Sequence, residues 1–344
     1  MTVRVGINGF GRIGRNFLRA ARAKRADLEI VAVNDLTDAA TNAHLLRYDT
    51  TYGRLDAEVT VEGDHLVVAG KRIKVLSERE PKALPWADLG ATVVLESTGR
   101  FTTRETAAAH VEAGAQRVVI SAPASGVDAT FVIGVNDDTF DPERHVVVSN
   151  ASCTTNCFVP MVQVLDDAFG VRKGLMTTVH AYTNDQNLLD LTHKDLRRAR
   201  AAAQNIIPAS TGAAKATGLV LESMKGRLDG GALRVPVSDG SITDFTALVG
   251  GVVTTDEVNE AFRAAAADGP LAKVLVYTED PIVSSDIVGS SASCTFDAGL
   301  TMVMPVDESM TMVKVHGWYD NEWGYANRLV DLAVLVGNAA PAHS

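Results

Sequence analysis

A glycine-rich segment near the start of the sequence constrains the fold more than any other stretch. Residues 3–8 have the apolar pattern of a short buried parallel strand, and a G-x-G-x-x-G motif follows at Gly9, Gly11 and Gly14, before a helical pattern through Ala23. The first glycine permits a tight turn, the second lets a pyrophosphate approach the backbone, and the third lets helix and strand pack closely. The phosphate would lie at the helix N-terminus. The segment therefore predicts a dinucleotide site.

A second strand strengthens this prediction. Residues 29–34 read as a strand that ends in Asp35, twenty-one positions after Gly14, where a carboxylate would hydrogen-bond a ribose. Further buried strands at 92–96 and 117–121 alternate with helical patterns, which favours a doubly wound parallel sheet. The competing interpretation is a glycine-rich turn in an unrelated α/β protein.

Composition sets outer limits on structure and function. A chain of 344 residues has the length of two domains of roughly 150 residues each. Its 32 basic and 42 acidic residues give a net charge of −10, which argues against a nucleic-acid or anionic-membrane surface as the main function. Three cysteines make no disulfide framework, and no signal peptide or membrane-spanning apolar run is visible, so we expect a cytoplasmic protein.

The second half of the sequence has a different character. Long strand-like runs at 174–182, 231–237, 241–252 and 309–318 are separated by few helices. This pattern favours a mixed or antiparallel sheet with helices on one side. We therefore expect an α/β protein in which a doubly wound parallel sheet is joined to an α+β domain with a mixed or antiparallel sheet.

A cysteine marks the transition between the two halves. Residues 145–149 read as a strand, an apolar helical pattern covers 158–169, and Cys153 falls at the start of that helix. Unpaired N–H groups and peptide dipoles at a helix N-terminus favour a thiolate and should lower the pKa of Cys153. The alternative is an inert core cysteine among ordinary N-capping residues. We expect Cys157 and Cys294 to be packing residues.

His180 lies near the end of the run 174–182. An isolated histidine there is more often a satisfied strand residue than a catalyst. Beside a cysteine at a helix terminus, however, an imidazole can take the thiol proton and act as acid and base. The pair predicts nucleophilic catalysis.

Three features indicate binding of small anions. Residues 193–200 form a basic run, which is either a solvated helical face or a site for a dianion. Residues 209–215 form a small-residue turn that opens a helix and leaves N–H groups available for an anion. Arg234 lies in an otherwise apolar strand, where an arginine needs a partner.

The sequence closely resembles the phosphorylating glyceraldehyde-3-phosphate dehydrogenases over essentially its full length. The stretches that carry the resemblance are 7–14, 149–157, 180–183, 193–200, 208–216, 233–236 and 319–325. The family implies a Rossmann-type first domain over 1–151 and 318–344, with a returning C-terminal helix, and a catalytic domain over 152–317. It also implies a homotetramer in which the loop 183–207 reaches a neighbour's cofactor.

The resemblance assigns roles to individual residues. It implies Cys153 as nucleophile and His180 as its base, with no metal. It implies two anion sites, one for inorganic phosphate (Ser152, Thr154, Thr211, Gly212 and the Arg234 region) and one for the substrate phosphate (Thr183, Arg198 and Arg234). For NAD it implies the glycines Gly9, Gly11 and Gly14 together with Arg12, Ile13, Asp35, Arg79, Ser121 and Asn321.

The implied activity is NAD-dependent oxidative phosphorylation of D-glyceraldehyde 3-phosphate to 1,3-bisphosphoglycerate through a cysteine thiohemiacetal and thioester, in glycolysis or gluconeogenesis. Two alternatives are an erythrose-4-phosphate dehydrogenase, which resembles the chain less at 181–183 and 210–215, and a non-catalytic, dinucleotide-regulated binding protein, in which Cys153 and His180 would be idle.

Two residues disagree about the cofactor. The Asp35 carboxylate should accept hydrogen bonds from the ribose hydroxyls of NAD and repel the 2′-phosphate of NADP. Thr192 stands where many NAD-linked members have proline, and it places a hydroxyl donor beside the basic run. Charge repulsion in a partly desolvated pocket outweighs one neutral hydrogen bond of about 1 kcal/mol, so we expect NAD, with inferior use of NADP. Ala209 also departs from the family pattern, without an expected consequence.

Overall fold

The computed structural model describes residues 2–339, which divide into two compact units. The first unit takes in the described residues up to 131, residues 137–151 and those from 326 onward, and the second takes in 132–136 and 152–325. The segment 318–325, expected with the first domain, thus belongs to the second unit. Residues 1 and 340–344 of the expected first domain lie outside the described residues.

The first unit contains most of the parallel strands. Its strands are β1 Val3–Asn8, β2 Leu28–Asn34, β3 Tyr48–Asp49, β4 Gly53–Arg54, β5 Val59–Glu62, β6 His65–Val68, β7 Lys71–Leu76, β8 Val93–Glu96, β9 Arg117–Ile120, β10 Ala129–Thr130 and β11 Val147–Ser149. Its helices are α1 Arg12–Ala23, α2 Ala39–Arg47, α3 Trp86–Leu89, α4 Arg104–Ala107 and α5 Ala109–Glu112.

Nine of these strands form one sheet in the order β10-β11-β9-β8-β1-β2-β7-β6-β5. The strands from β10 to β7 in this order are parallel, and β6 and β5 continue the sheet in antiparallel pairing. β8 and β9 are buried along their whole length, as expected for strands covered on both faces. Because the central strands are parallel, β1, β2 and β8 end at one edge, with Asn8 in register with both Asn34 and Glu96.

The turn between β1 and α1 has the geometry that the glycine motif predicts. Gly9 has a φ of 94°, in the left-handed region that favours glycine. A Cβ at Gly14 would lie 2.3 Å from the Gly9 carbonyl oxygen, whereas a Cβ at Gly11 would meet no atom within 4 Å. The turn is therefore closed on the protein side and open at Gly11.

The second unit contains the longer strands. Its helices are α6 Cys153–Phe169, α7 Ala213–Val220, α8 Thr255–Ala267 and α9 Ser284–Ile287. Its strands are β12 Val171–Ala181, β13 Ile207–Ala209, β14 Leu228–Val235, β15 Ser241–Gly250, β16 Leu275–Thr278, β17 Cys294–Asp297, β18 Met302–Asp307 and β19 Met310–Tyr319. The last helix, α10 Trp323–Asn338, begins in the second unit and continues in the first. Short 3₁₀ helices in the two units cover 81–83, 137–139, 202–204, 222–224, 270–273 and 298–300.

The sheet of the second unit is mixed. Its order is β13-β14-β12-β15-β19-β17-β16, and β18 pairs with β19. The β12–β14 and β16–β17 pairs are parallel and the other pairs are antiparallel. Helix α6 packs on this sheet, where Phe158 meets Phe245 edge-on at 4.8 Å between ring centroids. The two sheets confirm the predicted fold class.

Two local expectations differ from the structure. The basic run 193–200 forms no helix and lies in a loop of bends and turns. The helical pattern between the strands predicted at 92–96 and 117–121 includes two four-residue helices, α4 and α5, that meet at Ala108. Both differences arise where local polarity is compatible with a helix but tertiary contacts decide the backbone.

Candidate active site

The start of α6 presents the candidate nucleophile. Ser152 is the N-cap, and its side-chain oxygen accepts a hydrogen bond from the Thr155 N–H at 3.0 Å. Ala151, just before it, has a φ of 55°, a left-handed conformation that costs a non-glycine residue on the order of 1 kcal/mol. This sharp turn ends β11 and makes Cys153 the first residue of the helix, with its side chain partly exposed.

His180 meets Cys153 as the sequence predicts. The Nε2 atom of His180 lies 3.4 Å from the Sγ atom of Cys153. On the other side of the ring, Nδ1 lies 2.7 Å from the Ala181 carbonyl oxygen. The carbonyl oxygen can only accept, so this contact favours the tautomer with the proton on Nδ1. In that tautomer Nε2 is free to accept the thiol proton, as a general base requires.

Arg234 finds its partners through strand register. β12 and β14 are parallel neighbours, and Arg234 is opposite His180 in their register. One guanidinium nitrogen of Arg234 donates to the Ala181 carbonyl oxygen at 3.1 Å and lies 2.5 Å from Nδ1 of His180. The cation that the sequence left without a partner therefore lies directly behind the imidazole. Because a guanidinium can only donate, its contact with Nδ1 opposes a proton on that nitrogen, whereas the Ala181 carbonyl oxygen favours one.

Cys153 is half-buried and His180 is buried, and the loss of water around both side chains dominates the electrostatics of the pair. It raises the pKa of the Cys153 thiol to about 11, against the opposite effects of Arg234 and of hydrogen bonds with Thr154. Burial, followed by the positive charge of Arg234, lowers the pKa of His180 to about 3. At neutral pH the unliganded pair is therefore an uncharged thiol and imidazole.

The expectation of a lowered cysteine pKa is thus wrong for the unliganded chain. A helix N-terminus is worth about 0.3–1 kcal/mol, which is less than one pKa unit, whereas burial shifts a pKa by up to ~3–5 units. The sequence shows the helix start but not the burial.

A buried tyrosine supports the site from below, and sequence reasoning assigned it no role. The hydroxyl of Tyr319, at the end of β19, lies 2.8 Å from the Thr154 hydroxyl and 2.8 Å from the Thr178 hydroxyl. Its ring meets the His180 ring edge-on at 5.9 Å. These contacts fix the first turn of α6 against β12, and the only sequence signal for them is the aromatic residue at the end of a long strand.

Four of the residues expected to bind anions lie in two segments that a hydrogen bond joins; these residues are Thr183, Arg198, Thr211 and Gly212. Arg198 forms an ion pair with Asp185, a residue that the sequence did not single out, and donates to the Ser210 carbonyl oxygen at 3.3 Å. This bond ties the loop containing Thr183 to the turn before α7. In that turn Thr211 Oγ1 accepts from the Ala213 N–H at 3.2 Å, and Gly212 is the N-cap of α7 without a capping side chain.

The glycine turn and Asp35 border one pocket in the first unit. The pocket has a volume of about 330 Å³, and its lining includes Gly9, Gly11, Asp35 and Arg79. Asp35 accepts hydrogen bonds from the Phe10 N–H at 2.9 Å and the Thr37 N–H at 3.0 Å, so its carboxylate also fixes the glycine turn. The volume falls within the range of about 300–1,000 Å³ that is usual for ligand pockets.

The other residues expected to bind the cofactor are more dispersed. Arg12 and Ile13 supply the first N–H groups of α1, and the Arg12 side chain turns to an ion pair with Asp49. The Ser121 N–H donates to the Glu96 carbonyl oxygen at 2.9 Å at the end of β9. These groups and the open space at Gly11 fit a pyrophosphate at the start of α1.

Asn321 belongs to the second unit. Its Oδ1 accepts a hydrogen bond from the Ser241 hydroxyl at 2.8 Å, and the same hydroxyl oxygen accepts from the Ala181 N–H at 3.1 Å. This link fixes the orientation of the Asn321 amide relative to the end of β12 and leaves its NH₂ group as a donor.

The remaining cysteines lie deeper. Cys157 and Cys294 are fully buried, and both sulfur atoms lie near the α-carbon of Gly317, where a Cβ would come within 3.1 Å of Cys157 Sγ and 2.6 Å of Cys294 Sγ. All three cysteines are free. Within residues 2–339, no group of three or more His, Cys, Asp or Glu side chains is placed to hold a metal ion. No helix in that range has both the length and the apolarity to cross a membrane.

Comparison with known proteins agrees with these features. Residues 3–104 match the family model of the glyceraldehyde 3-phosphate dehydrogenase NAD binding domain, and residues 152–321 match that of the C-terminal domain. The chain is 63% identical over 338 residues to glyceraldehyde-3-phosphate dehydrogenase 2 of Streptomyces avermitilis, covering 98% of this chain and 99% of that protein.

Two relatives from other genera are nearly as similar. Glyceraldehyde-3-phosphate dehydrogenase of Mycobacterium bovis is 59% identical over 345 residues, and the match covers 98% of this chain and 100% of that protein. The Geobacillus stearothermophilus protein of the same name is 58% identical over 338 residues, covering 98% and 99%. With both family models matched and near-complete coverage of these relatives, the chain belongs to the glyceraldehyde 3-phosphate dehydrogenase family, with NAD as its cofactor.

Proposed function

We propose that this chain oxidises D-glyceraldehyde 3-phosphate with NAD and transfers the acyl group to inorganic phosphate, giving 1,3-bisphosphoglycerate. The observation that carries the proposal is the 3.4 Å contact between Cys153 Sγ at the start of α6 and His180 Nε2, with Arg234 behind the imidazole. The relatives described above bear the name of this activity.

In the first step the Cys153 sulfur attacks the aldehyde carbon. The thiol proton passes through Nε2 of His180 to the former carbonyl oxygen, so the thiohemiacetal forms without net charge. This route suits a buried pair that is neutral at rest, because no isolated ion persists in the low-dielectric site.

In the second step the thiohemiacetal is oxidised to a thioester. NAD supplies the hydride acceptor for this step. His180 takes the hydroxyl proton as the carbon–hydrogen bond breaks, and its Nδ1 contact with the Ala181 carbonyl oxygen stabilises the imidazolium that results.

In the third step a phosphate oxygen attacks the thioester carbon, and Cys153 leaves as a thiolate that recovers its proton from His180. We assign the attacking phosphate to Ser152, Thr154, Thr211, Gly212 and Arg234, and the substrate phosphate to Thr183, Arg198 and Arg234. Support comes from the ties between these segments, above all the hydrogen bond from Arg198 to the Ser210 carbonyl oxygen. An anion at Arg198 would replace or share its ion pair with Asp185.

We assign NAD binding to the first unit and the covalent chemistry to the second, with Asn321 of the second unit holding the carboxamide. The glycine turn and Arg12, Ile13, Asp35, Arg79 and Ser121 supply the remaining contacts. The open face of Gly11 and the pocket beside Asp35 support this assignment.

We further propose a homotetramer located in the cytoplasm. The loop after β12 exposes Leu188 by 80% and Leu196 by 81%, and Met302 and Met304 of β18 are also exposed. Exposed large apolar side chains support the proposal that other subunits cover these segments. Three free cysteines are consistent with a reducing compartment.

The proposal is tested by initial rates with glyceraldehyde 3-phosphate and erythrose 4-phosphate, each with and without inorganic phosphate. We expect fast, phosphate-dependent reduction of NAD with the triose phosphate only. Faster turnover of the tetrose would indicate an erythrose-4-phosphate dehydrogenase, and no turnover of either would indicate a non-catalytic protein.

Alkylation tests the nucleophile. Because Cys157 and Cys294 are buried, iodoacetamide should modify Cys153 alone, and Cys153→Ser should abolish turnover. Since burial raises the pKa of Cys153, its alkylation in the unliganded chain should accelerate between pH 7 and pH 9 as the thiolate fraction grows. Peptide mass spectrometry at several pH values identifies the alkylated cysteine and gives its alkylation rate. A rate that is flat over this range would contradict the raised pKa of Cys153. Modification of Cys294 first would contradict the assignment of Cys153 as the nucleophile.

The shared cation is tested by KM values. Arg234→Leu should raise KM for both glyceraldehyde 3-phosphate and phosphate by roughly 10- to 100-fold, the effect of losing one charge-assisted contact. Arg198→Leu should raise mainly the aldehyde KM. Arg200→Leu is the matched control, since this arginine lies in the same loop in an exposed pair with Asp190. If a folded Arg234→Leu protein has the KM values of the parent, Arg234 does not bind either anion.

Cofactor choice is tested at Asp35. Asp35→Asn keeps the size of the side chain and removes the negative charge, so kcat/KM with NADP should rise relative to that with NAD. Thr192→Pro, in an exposed part of the loop, should sharpen the preference for NAD. A parent protein that prefers NADP would show that Asp35 does not set the choice.

A further inference from the structure

A row of buried polar side chains crosses three neighbouring strands of the first sheet. Asn34, Asn8 and Glu96 are the last residues of β2, β1 and β8, and strand register places them side by side. Their exposed fractions are 4%, 2% and 1%. Polar groups this deeply buried must satisfy one another, so the hydrogen bonds of the row define its structure.

One end of the row is fixed by backbone groups. The Glu78 N–H donates to Asn34 Oδ1 at 2.8 Å, and Asn34 Nδ2 donates to the Glu78 carbonyl oxygen at 2.8 Å. A backbone N–H can only donate, so the orientation of the Asn34 amide is set. Asn34 Nδ2 then donates to Asn8 Oδ1 at 2.7 Å, and Asn8 Nδ2 donates to Glu96 Oε2 at 2.6 Å.

The other end is fixed by an indole. Trp86 Nε1 donates to Nδ1 of His110 at 3.0 Å, and both side chains are fully buried. Because an indole N–H can only donate, Nδ1 must accept, and the imidazole proton lies on Nε2. That nitrogen is 3.0 Å from Glu96 Oε2 and donates to it.

Glu96 is therefore the point at which all these donors converge. Its second oxygen, Oε1, accepts from the Thr98 N–H at 2.8 Å and from the Thr98 hydroxyl. Among residues 2–339 no lysine or arginine pairs with it, and the one ring nitrogen in contact belongs to a neutral histidine. A buried carboxylate held only by neutral donors is costly, which indicates that its charge serves a purpose other than stability.

The row connects the two edges of the pocket assigned to NAD. Asn8, Asn34, Glu78 and Thr98 all line this pocket. The segment that carries Arg79 is attached through Asn34, and the turn after β8 is attached through Glu96. A change in Glu96 would release the Thr98 turn directly, because Thr98 donates to this carboxylate. It would also release the Asn8 amide, which holds Asn34 in the row.

We propose that Glu96 is a positioning residue whose buried negative charge orders the Asn34–Asn8–Glu96–His110–Trp86 row and so holds the pocket edges at the spacing that the adenosine half of NAD requires. The proposal rests on the proposed function, in which this pocket binds NAD. Glu96 touches neither the reacting carbon nor the Cys153 sulfur in this assignment; it acts through Thr98, Asn8 and Glu78.

Glu96→Gln tests the charge. An amide at this position must point its NH₂ group either at the Thr98 N–H or at the donors on Asn8 and His110. Flipping the amide of Asn8 or moving the proton of His110 does not relieve this clash between donors, because Glu78 fixes the Asn34 end of the row and Trp86 fixes the His110 end. Calorimetric dissociation constants for NAD and ADP-ribose should both rise by about 10- to 100-fold. kcat at saturating NAD should stay near the parent value. An unchanged constant, or a loss for NAD without a loss for ADP-ribose, overturns the proposal.

A charge swap provides the rescue. Asn8→Asp alone places two carboxylates at 2.6 Å and should also weaken binding. In the double variant Asn8→Asp/Glu96→Gln, the new amide donates to the new carboxylate and accepts from Thr98. His110 Nε2 lies 3.4 Å from the Asn8 side-chain nitrogen in the parent protein, so in the double variant it can donate to the new carboxylate at position 8. ADP-ribose affinity should return to within about threefold of the parent, a strong coupling between adjacent sites. If Glu96→Gln does not fold, the double variant alone decides, and weak binding by it overturns the proposal.

Two further variants separate the possible causes. Val118→Ala removes buried methyl groups from β9 without touching the row, so it should lower stability but leave the dissociation constants unchanged. An equal loss of affinity in this control overturns the positioning role. Asp35→Asn tests whether this pocket binds NAD. If this variant keeps the parent's cofactor affinity and preference, the proposed function is wrong about the pocket. If Asp35→Asn changes cofactor binding but Glu96→Gln binds NAD and ADP-ribose as the parent does, only the inference about Glu96 is refuted.

Discussion

The desolvation of the Cys153–His180 pair is the constraint on which the second unit depends. Burial raises the pKa of the thiol to about 11 and, with Arg234, lowers that of the imidazole to about 3, so the pair is neutral until a substrate shares its proton. The surrounding contacts are consistent with this state: the Ala181 carbonyl oxygen can accept a proton carried by His180 Nδ1, and Tyr319 fixes the helix start without adding a charge. Reactivity then comes from a proton moved over a short distance.

Local patterns predicted much of the fold, because strand endings, helix starts and glycine turns are encoded within a few residues. The start of α1 and the position of Cys153 at the start of α6 are examples. The sequence could not predict the contact between Arg234 and His180, since it depends on the register of two strands whose paired residues are 54 positions apart. The pKa direction of Cys153 was missed for a related reason: burial is a property of the assembled unit.

The edge of the parallel sheet shows how adjacent residues acquire different roles. Asp35, just after β2, lines the pocket and accepts hydrogen bonds from the Phe10 and Thr37 N–H groups. Asn34, the last residue of β2, also lines the pocket, but its amide joins the buried row that ends on Trp86. The sequence marks Asp35 as a ribose ligand but shows Asn34 only as a polar residue at the end of an apolar run. The register of β1, β2 and β8 is what shows that Asn34 has buried polar neighbours.

The discontinuous first unit has a consequence for the order in which the molecule is made. Residues 326–339 belong to that unit. Within it, Lys24 pairs with Asp331, and a Cβ on Gly337 would lie 2.3 Å from a Val3 methyl group, so α10 packs directly on the first strand. During vectorial synthesis, β1 leaves the ribosome more than 300 residues before the helix that covers it. The apolar surface that α10 covers must therefore stay exposed, or be shielded by a chaperone, while the intervening residues are made.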